Sequence, residues 1–255
     1  MKEYILIMKC GMEKEKNIMM INYYSKVNIY MAINIKEKAI CLHCLADLPR
    51  TGFANLSHNP MADRYNELIQ RDQEETEPYS YAAALFYYRA GNGYSNITKS
   101  LKYRHNFSGG KVFAGMLARE LAGSGLYGDV DLVIPVPLHW SRRWARGYNQ
   151  AEVIAKELAG RMGARMETGL VRRARRTGTQ TRLTAGERER NLSGAFRINR
   201  RASNNDPEKV RHVLLVDDVF TTGATINACR IALRRLYCPG TRISAVTLGY
   251  VAGNQ

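Results

Sequence analysis

The sequence predicts an α/β protein in which a parallel, doubly wound sheet is flanked by helices. From about residue 79 onward, short apolar strands alternate with amphipathic helices, which is the pattern of parallel sheets. Residues 213–216, Val-Leu-Leu-Val, form a continuous apolar run, as expected for a strand buried on both faces. The sequence contains no internal repeat or heptad pattern, so a solenoid or a coiled coil is excluded.

The first helix and strand of the main domain are predicted by the spacing of apolar residues. Phe113, Met116, Leu117 and Leu121 recur on one face of a helix. The run at residues 132–136 is apolar and of strand length. We therefore expect a helix that packs on the sheet, followed by a buried strand.

A second helix follows the first strand. Ala151, Ile154, Ala155 and Leu158 stand at positions i, i+3, i+4 and i+7 of one helical face. Gly163 comes where a C-terminal cap belongs, because glycine adopts the left-handed conformation of that position at little cost. The helix is therefore predicted to end at about this glycine.

The remaining elements lie in the last third of the chain. The polar stretch at residues 172–191 is longer than ordinary connections, which indicates a functional or mobile loop. Residues 195–198 predict a short strand. Residues 213–216 predict a buried strand, residues 224–236 a helix and residues 243–251 a further strand.

The composition changes sharply near residue 40. Residues 1–40 hold seven Lys and no Arg, whereas most basic residues from Arg50 onward are Arg. We interpret residues 1–40 as an extension outside the fold or as a flexible N-terminal arm. Residues 41–77 form a short Cys- and His-bearing segment that ends in an acidic linker, and residues 78–255 form the main domain.

The net charge indicates an anionic partner. The chain has 38 Lys and Arg against 23 Asp and Glu, which gives +15 at pH 7. Such a surface attracts nucleic acid, the anionic face of a membrane or a phosphorylated small molecule, and the charge does not choose among them. No apolar run approaches the roughly 20 residues that a bilayer requires, so no membrane insertion is expected. The five Cys have no framework spacing and predict a cytoplasmic location.

The most informative segment is residues 213–225, Val-Leu-Leu-Val-Asp-Asp-Val-Phe-Thr-Thr-Gly-Ala-Thr. A loop at a helix N-terminus binds anions through backbone N–H groups, and threonine hydroxyls add donors, so a phosphate fits there. Gly223 allows the backbone to approach that phosphate closely. Asp217 and Asp218 would repel a phosphate but accept hydrogen bonds from a diol. The pattern therefore predicts a ribose 5-phosphate site, whereas a mere acidic turn does not require these residues.

Two arginine-rich stretches supply further candidates for anion binding. Pro135-Val136-Pro137-Leu138-His139 precedes Arg142, Arg143 and Arg146, whose planar guanidiniums could clamp a diphosphate. A basic helix start is also what a solvated helix face shows, so this signal is weak alone. Residues 172–201 hold ten Arg and no Lys, interleaved with Thr177, Thr179, Gln180 and Thr181.

Taken together, these motifs resemble the ComF family of competence-associated, phosphoribosyltransferase-like proteins. The motifs that carry the resemblance are Pro-Val-Pro at 135–137, Arg-Gly-Tyr-Asn-Gln at 146–150, Thr-Gln-Thr at 179–181, Glu-Arg-Glu-Arg-Asn at 187–191 and the segment 213–225. The resemblance implies a type I phosphoribosyltransferase fold, binding of phosphoribosyl pyrophosphate (PRPP) and a role linked to uptake of transforming DNA. It also implies that residues 172–191 act as a lid over the diphosphate.

The resemblance also assigns roles to residues. The PRPP-binding set is Asp217, Asp218, Val219, Thr221, Thr222, Gly223, Ala224 and Thr225. The residues expected to act in catalysis are Asp217, Asp218, Arg142 and Arg146, and those expected on the diphosphate or in the lid are Arg143, Thr179, Gln180 and Arg188. Magnesium is expected with PRPP, because Mg²⁺ favours phosphate and hydroxyl oxygens. The phosphoribosyl acceptor is encoded in no motif.

A zinc module is the last feature that the resemblance implies. The family carries two Cys-x-x-Cys pairs, and this chain has one, Cys41-Leu42-His43-Cys44. Because a structural zinc site needs four ligands, Cys41 and Cys44 are half of a site. His43 or His58 could complete the site, or the segment could keep its fold without metal.

A different class of function remains open at this level. The protein could keep the PRPP pocket as a sensor or relic and bind single-stranded DNA or RNA, or proteins of DNA uptake, without turnover. Arginine-lined grooves with aromatic platforms are how such proteins hold strands. Salt dependence separates the two, because binding through several phosphate contacts weakens steeply as salt rises.

Overall fold

The fold is built on a five-stranded parallel sheet. The computed structural model describes residues 45–72, 76–89, 107–138, 144, 147–174, 194–203 and 206–252. Its strands are β1 (Ala82–Tyr87), β2 (Leu132–Pro135), β3 (Arg165–Met166), β4 (Val171–Arg173), β5 (Phe196–Ile198), β6 (His212–Phe220) and β7 (Arg242–Tyr250). The sheet has the order β1-β7-β6-β2-β3, and β4 pairs with β5 in an antiparallel ribbon. The predicted α/β class with a parallel sheet is confirmed.

Within the described residues, four helices cover this sheet. They are α1 (Pro60–Arg71), α2 (Phe107–Gly123), α3 (Gln150–Met162) and α4 (Ala224–Leu233). Helix α2 packs on α3, and α1 packs on α4. The connection from β2 through α3 leads to β3, whereas the connection from β6 through α4 leads the opposite way to β7. Right-handed crossovers in opposite directions place their helices on opposite faces, which makes the sheet doubly wound.

The predicted core positions of the helices are confirmed. Phe113, Met116, Leu117 and Leu121 are buried in α2. The α3 positions that were expected to face the core are buried as well; they are Ala151, Ile154, Ala155 and Leu158. Gly163 ends α3 in the left-handed conformation with φ 67°, as its position in the sequence predicts.

Helix α1 and strands β1, β3 and β4 are not among the predicted elements. Helix α1 begins at a strong cap, because the Asn59 side chain accepts from the N–H groups of Met61 and Ala62 at 3.0 Å each. It lies against the sheet, and the buried Tyr65 hydroxyl donates to Ile243 O at 3.1 Å. The Asn-Pro start of α1 and the apolar spacing that follows it are typical of a helix. Residues 41–77, which include α1, are interpreted from the sequence as a Cys-bearing segment and a linker instead.

Two of the predicted elements end more than one residue away from the prediction. Strand β6 continues past the predicted residues 213–216 to Phe220, because β7 pairs with it as far as Phe220 and Tyr250. Helix α4 ends at Leu233 rather than at residue 236. Its last turn tightens there, with Leu236 N–H donating to Leu233 O at 2.9 Å.

Contacts between residues divide the chain after Asp47, into residues 1–47 and 48–255. Helix α1 and the sheet belong to the second of these units. The division into residues 1–40, 41–77 and 78–255 stays a prediction.

Candidate functional site

The topology itself points to a crevice at the carboxyl ends of β6 and β2. These two strands are neighbours in the sheet, and the connections that leave them run in opposite directions. Open α/β sheets bind ligands at such a switch point, because the helices on either side diverge and leave a gap. Asp217 and Asp218 lie near the end of β6, and Pro135 is the last residue of β2.

The two carboxylates of this crevice lie within β6 rather than after it. Asp217 is in register with Thr247 of β7, and Asp218 N–H donates to Asp217 Oδ1 at 2.8 Å. Both side chains are half-buried. The hydrogen-bonded strand therefore fixes the backbone of both residues.

The loop after β6 leads directly into α4. Thr221 is exposed, Thr222 is half-buried, and Thr222 Oγ1 accepts from Ala224 N–H at 3.4 Å. Gly223 is the N-cap of α4 and brings no side chain to cap the first turn. A helix start of this kind presents backbone N–H groups and the positive end of the helix dipole to an anion.

Gly223 is required by close packing as well as by backbone conformation. Its φ is +80°, which disfavours other residues. A β-carbon at this position would lie 2.6 Å from Phe220 Cζ and 2.8 Å from Leu68 Cδ1. The loop is therefore packed directly on α1 and on the end of β6, which sets its position.

The other wall of the crevice is organised by Asn149. This residue caps α3 by accepting from Ala151 N–H at 3.2 Å, and its Nδ2 donates to Val136 O at 3.0 Å. Val136 N–H in turn donates to Val216 O at 2.8 Å. The asparagine of the Arg-Gly-Tyr-Asn-Gln motif thus ties the start of α3 to the end of β2, a positioning role that sequence reasoning did not assign.

A polar network that sequence reasoning did not predict joins helix α4 to Asp72 and Glu77 in the segment after α1. Asp72 Oδ2 accepts from Asn227 Nδ2 at 2.6 Å, and Asn227 Oδ1 accepts from Arg230 Nε at 3.0 Å. Arg230 Nη1 donates to Glu77 Oε1 at 2.6 Å, and Arg234 also donates to Glu77. The acidic stretch that the sequence predicts to be a linker therefore supplies two carboxylates, Asp72 and Glu77, which hold α4 in place after the loop at residues 221–223.

Several predicted site residues lie outside the described residues. They are Arg142, Arg143, Arg146, Thr179, Gln180 and Arg188, together with the cysteine pair Cys41 and Cys44. Of the predicted lid at residues 172–191, only residues 172–174 are described, and Arg172 and Arg173 belong to β4 rather than to a loop; Ala174 N–H donates to Ala195 O at 2.8 Å. This bond extends the β4–β5 ribbon at the point where the loop leaves and returns.

Metal-ligating side chains and cysteine thiols are two other kinds of candidate chemistry in the described part of the chain. Among those residues, no group of three or more His, Cys, Asp or Glu side chains could hold a metal ion. Burial raises the pKa of the Cys229 thiol, so it is not poised as a nucleophile. Among the described residues, no helix has the length and apolar character to span a membrane.

The fold and the crevice define a class of protein: a doubly wound α/β protein with a carboxylate pair and an anion-binding type of loop at its switch point. No family model matches the chain. It is 40% identical over 106 residues to competence protein F of Haemophilus influenzae, which is 42% of this chain and 45% of that protein.

Related matches carry a second name. The chain is 39% identical over 112 residues to DNA utilization protein YhgH of Salmonella typhi, which is 44% of this chain and 45% of that protein. The YhgH protein of Escherichia coli K12 is 38% identical over 96 residues, 38% of this chain and 40% of that protein. The chain thus spans less than half the length of the curated relatives it matches. The resemblance to the ComF family is confirmed by these matches.

Proposed function

We propose that the protein binds PRPP in the crevice at the ends of β6 and β2 and transfers its phosphoribosyl group to an acceptor, releasing diphosphate. One observation carries the proposal: the half-buried pair Asp217 and Asp218 stands directly before a loop that Gly223 packs against α1 at the start of α4. A carboxylate pair beside an anion-binding loop complements a ribose 5-phosphate.

The 5-phosphate would lie on residues 221–225. Thr221 and Thr222 offer hydroxyls there, and the first turn of α4 offers backbone N–H groups that no N-cap side chain occupies. Asp217 and Asp218 would accept hydrogen bonds from the ribose hydroxyls. Val219 and Ala224 contribute backbone to the same cradle.

Magnesium fits the donor set of this crevice, because Mg²⁺ takes oxygen ligands and needs few from the protein. The carboxylates of Asp217 and Asp218 would hold it together with the substrate oxygens. When bound, the ion would offset the negative charge of the diphosphate. Zinc remains a proposal for Cys41 and Cys44.

In the reaction, the bond between the anomeric carbon and a diphosphate oxygen breaks, and the bonding pair leaves with the diphosphate. The attacking atom of the acceptor donates a lone pair to the same carbon, through an oxocarbenium-like transition state, and the proton on that atom passes to solvent. The guanidiniums of Arg142 and Arg146 would stabilise the leaving group, and the lid residues around Arg188 would exclude water. Positioning and charge stabilisation carry the catalysis in this scheme.

The names of the relatives suggest the setting of this activity. One is a competence protein and the others are DNA utilization proteins. We therefore propose that the protein acts in a process that takes up or uses DNA, with nucleic acid or proteins of that process as partners. The proposed cytoplasmic location rests on the cysteine usage instead. The alternative is a protein that binds PRPP or a single strand there without turnover.

The test is calorimetric titration with PRPP and Mg²⁺, with released diphosphate assayed in the same samples. The D217N/D218N variant is expected to lose binding. The matched control is D206N/E208Q, which removes two negative charges from the exposed turn at Pro207–Lys209 and should bind as wild type does. If PRPP binds but no diphosphate is released when nucleobases are added as candidate acceptors, the non-catalytic alternative is favoured. Wild-type protein that binds no PRPP would overturn the proposal.

A further inference from the structure

The β4–β5 ribbon places two arginines side by side. Arg172 of β4 is directly opposite Arg197 of β5 in the antiparallel register, and both side chains are exposed. Directly opposed like charges destabilise a pair of strands, because their β-carbons are only about 5 Å apart. A ribbon that carries this pair therefore bears an electrostatic cost that a bound anion would relieve.

The other face of the ribbon explains why these two side chains point to solvent. Val171 and Phe196 are buried, and the ribbon packs on α4. Since side chains alternate across a strand, burying this face turns Arg172 and Arg197 outward. The arginine pair is thus held in place by the packing of its neighbours.

Further arginines extend the positive face. Arg200 and Arg201 follow β5 in a turn at Arg200–Ala202, and both are exposed. Arg200 Nη2 donates to the backbone oxygen of Arg235 at 3.4 Å. The side chain of Arg235 is also exposed. The arginine face is defined here as Arg172, Arg197, Arg200, Arg201 and Arg235.

The ion pairs found within the described residues do not involve this face. Within the described residues, none of its five guanidiniums forms an ion pair with a carboxylate. Arg172 contacts the neutral amide of Asn199, whose oxygen accepts from Nη2 at 2.8 Å in the orientation that satisfies both groups. This contact orients the guanidinium of Arg172 and leaves its charge uncompensated.

We propose that the arginine face binds the phosphodiester backbone of a nucleic acid. Guanidinium groups bind phosphates with two parallel hydrogen bonds, and several of them spread over a ribbon suit a polymer of phosphates better than one small anion. A membrane surface fits less well, since lipid-binding surfaces add exposed apolar anchors. The large apolar side chains exposed in the described residues are Leu56, Tyr87, Trp144 and Ile231, and none of them is in the ribbon. The choice of nucleic acid rests on the DNA-linked role proposed above, but not on the PRPP crevice.

The test measures binding of a fluorescent 20-nucleotide oligothymidylate by anisotropy between 50 and 200 mM salt. For a single strand, each phosphate contact contributes about 0.7 to the slope of log affinity against log salt, because it releases counterions. The R172Q/R197Q variant is expected to bind at least fivefold more weakly at 50 mM salt, with a slope of log affinity against log salt shallower by about 1 to 1.5. The matched control, R71Q/K156Q, removes two exposed positive charges from α1 and α3 and should leave affinity and slope nearly unchanged.

Three further variants keep the proposal falsifiable. R172K/R197K should restore most of the slope, because lysine retains the charge. R200Q/R201Q should also bind the oligonucleotide more weakly, and it tests the arginine face even if R172Q/R197Q fails to fold. D217N/D218N should bind the oligonucleotide as wild type does, while R200Q/R201Q, which lies outside the lid at residues 172–191, should still bind PRPP; this separates the proposal from the crevice. Equal losses in R172Q/R197Q and the control, or no oligonucleotide binding by wild type, would overturn it. Arginine-dependent binding to phosphatidylglycerol vesicles without oligonucleotide binding would do so as well, in favour of a membrane surface.

Discussion

Glu77 and Arg230 form a buried ion pair, with Arg230 Nη1 donating to Glu77 Oε1 at 2.6 Å and side-chain exposures of 2% for Arg230 and 4% for Glu77. Arg230 belongs to α4, and Glu77 belongs to the segment between α1 and β1. The pair therefore links the helix behind the candidate phosphate loop to a distant part of the chain. Removing one partner leaves an uncompensated charge in the interior, which is more costly than losing the contact itself.

The first prediction follows from that pair. Glu77→Ala is expected to lower the free energy of unfolding by about 3–5 kcal/mol, because Arg230 and Arg234 both lose their carboxylate. Urea denaturation measures the change. Glu67→Ala removes the carboxylate of the exposed Arg64–Glu67 pair and should cost less than about 1 kcal/mol. Similar losses for the two variants would refute a special role for the buried network.

The second prediction concerns Gly223. Gly223→Ala should weaken PRPP binding at least tenfold, because its β-carbon would fall on Phe220 and Leu68 and push the loop out of place. The strain of a positive φ adds about 1–2 kcal/mol of destabilisation. Gly125→Ala is the control, since Gly125 has φ 72° but open space around it. Gly125→Ala should lose stability through its φ alone and bind PRPP as wild type does. Equal PRPP affinity in Gly223→Ala and Gly125→Ala would contradict the packing argument.

The third prediction concerns the cap of α3. Asn149→Ala should cost about 1–2 kcal/mol of stability and also weaken PRPP binding, because Asn149 holds the start of α3 to Val136 O. Asn59→Ala removes a comparable cap from α1 and should cost stability without a specific change in affinity. Thermal unfolding and calorimetric titration of both variants give the comparison. The prediction fails if PRPP affinity changes alike in the two.

The fourth prediction is a pH dependence that arises from His212. The side chain is fully buried, with Nδ1 2.6 Å from Asp129 Oδ1 and Nε2 2.8 Å from Ser244 Oγ. Burial lowers the pKa of His212, the Arg242 charge lowers it further, and Asp129 and Asp131 oppose the shift. The folded pKa is thus below the unfolded value of about 6.5, so the unfolded state takes up the proton first as the pH falls.

Stability is therefore expected to fall as the pH drops through the unfolded pKa of about 6.5 toward the lower folded pKa. Urea midpoints measured across this range give the slope. His212→Gln should flatten it, whatever its effect on stability at pH 7. The carboxyl of Asp129 titrates separately: burial opposes ionisation, but the hydrogen bond and charge of His212 prevail and lower its pKa, so its contribution is lost only at more acidic pH. An unchanged slope in His212→Gln would exclude His212 as its source.

The sequence predicted the sheet and the positions of its main helices with good agreement, because apolar periodicity reports directly which faces are buried. It missed α1, β1 and the short strands β3 and β4. Helix α1 owes its place to contacts with residues far along the chain, such as the bond from Tyr65 to Ile243 O. Strand β1 pairs with β7, more than 150 residues later, and its run of small apolar residues has no period that separates strand from helix.

The candidate site divides in the same way. Residue types alone determined that a carboxylate pair precedes a threonine- and glycine-rich loop at the start of a helix, because those groups are adjacent in the chain and their chemistry is local. Only the tertiary structure decided that Leu68 packs beneath Gly223, that Glu77 anchors α4 and that Arg172 stands opposite Arg197. Each of these contacts joins residues far apart in sequence, and chain topology and core packing bring them together.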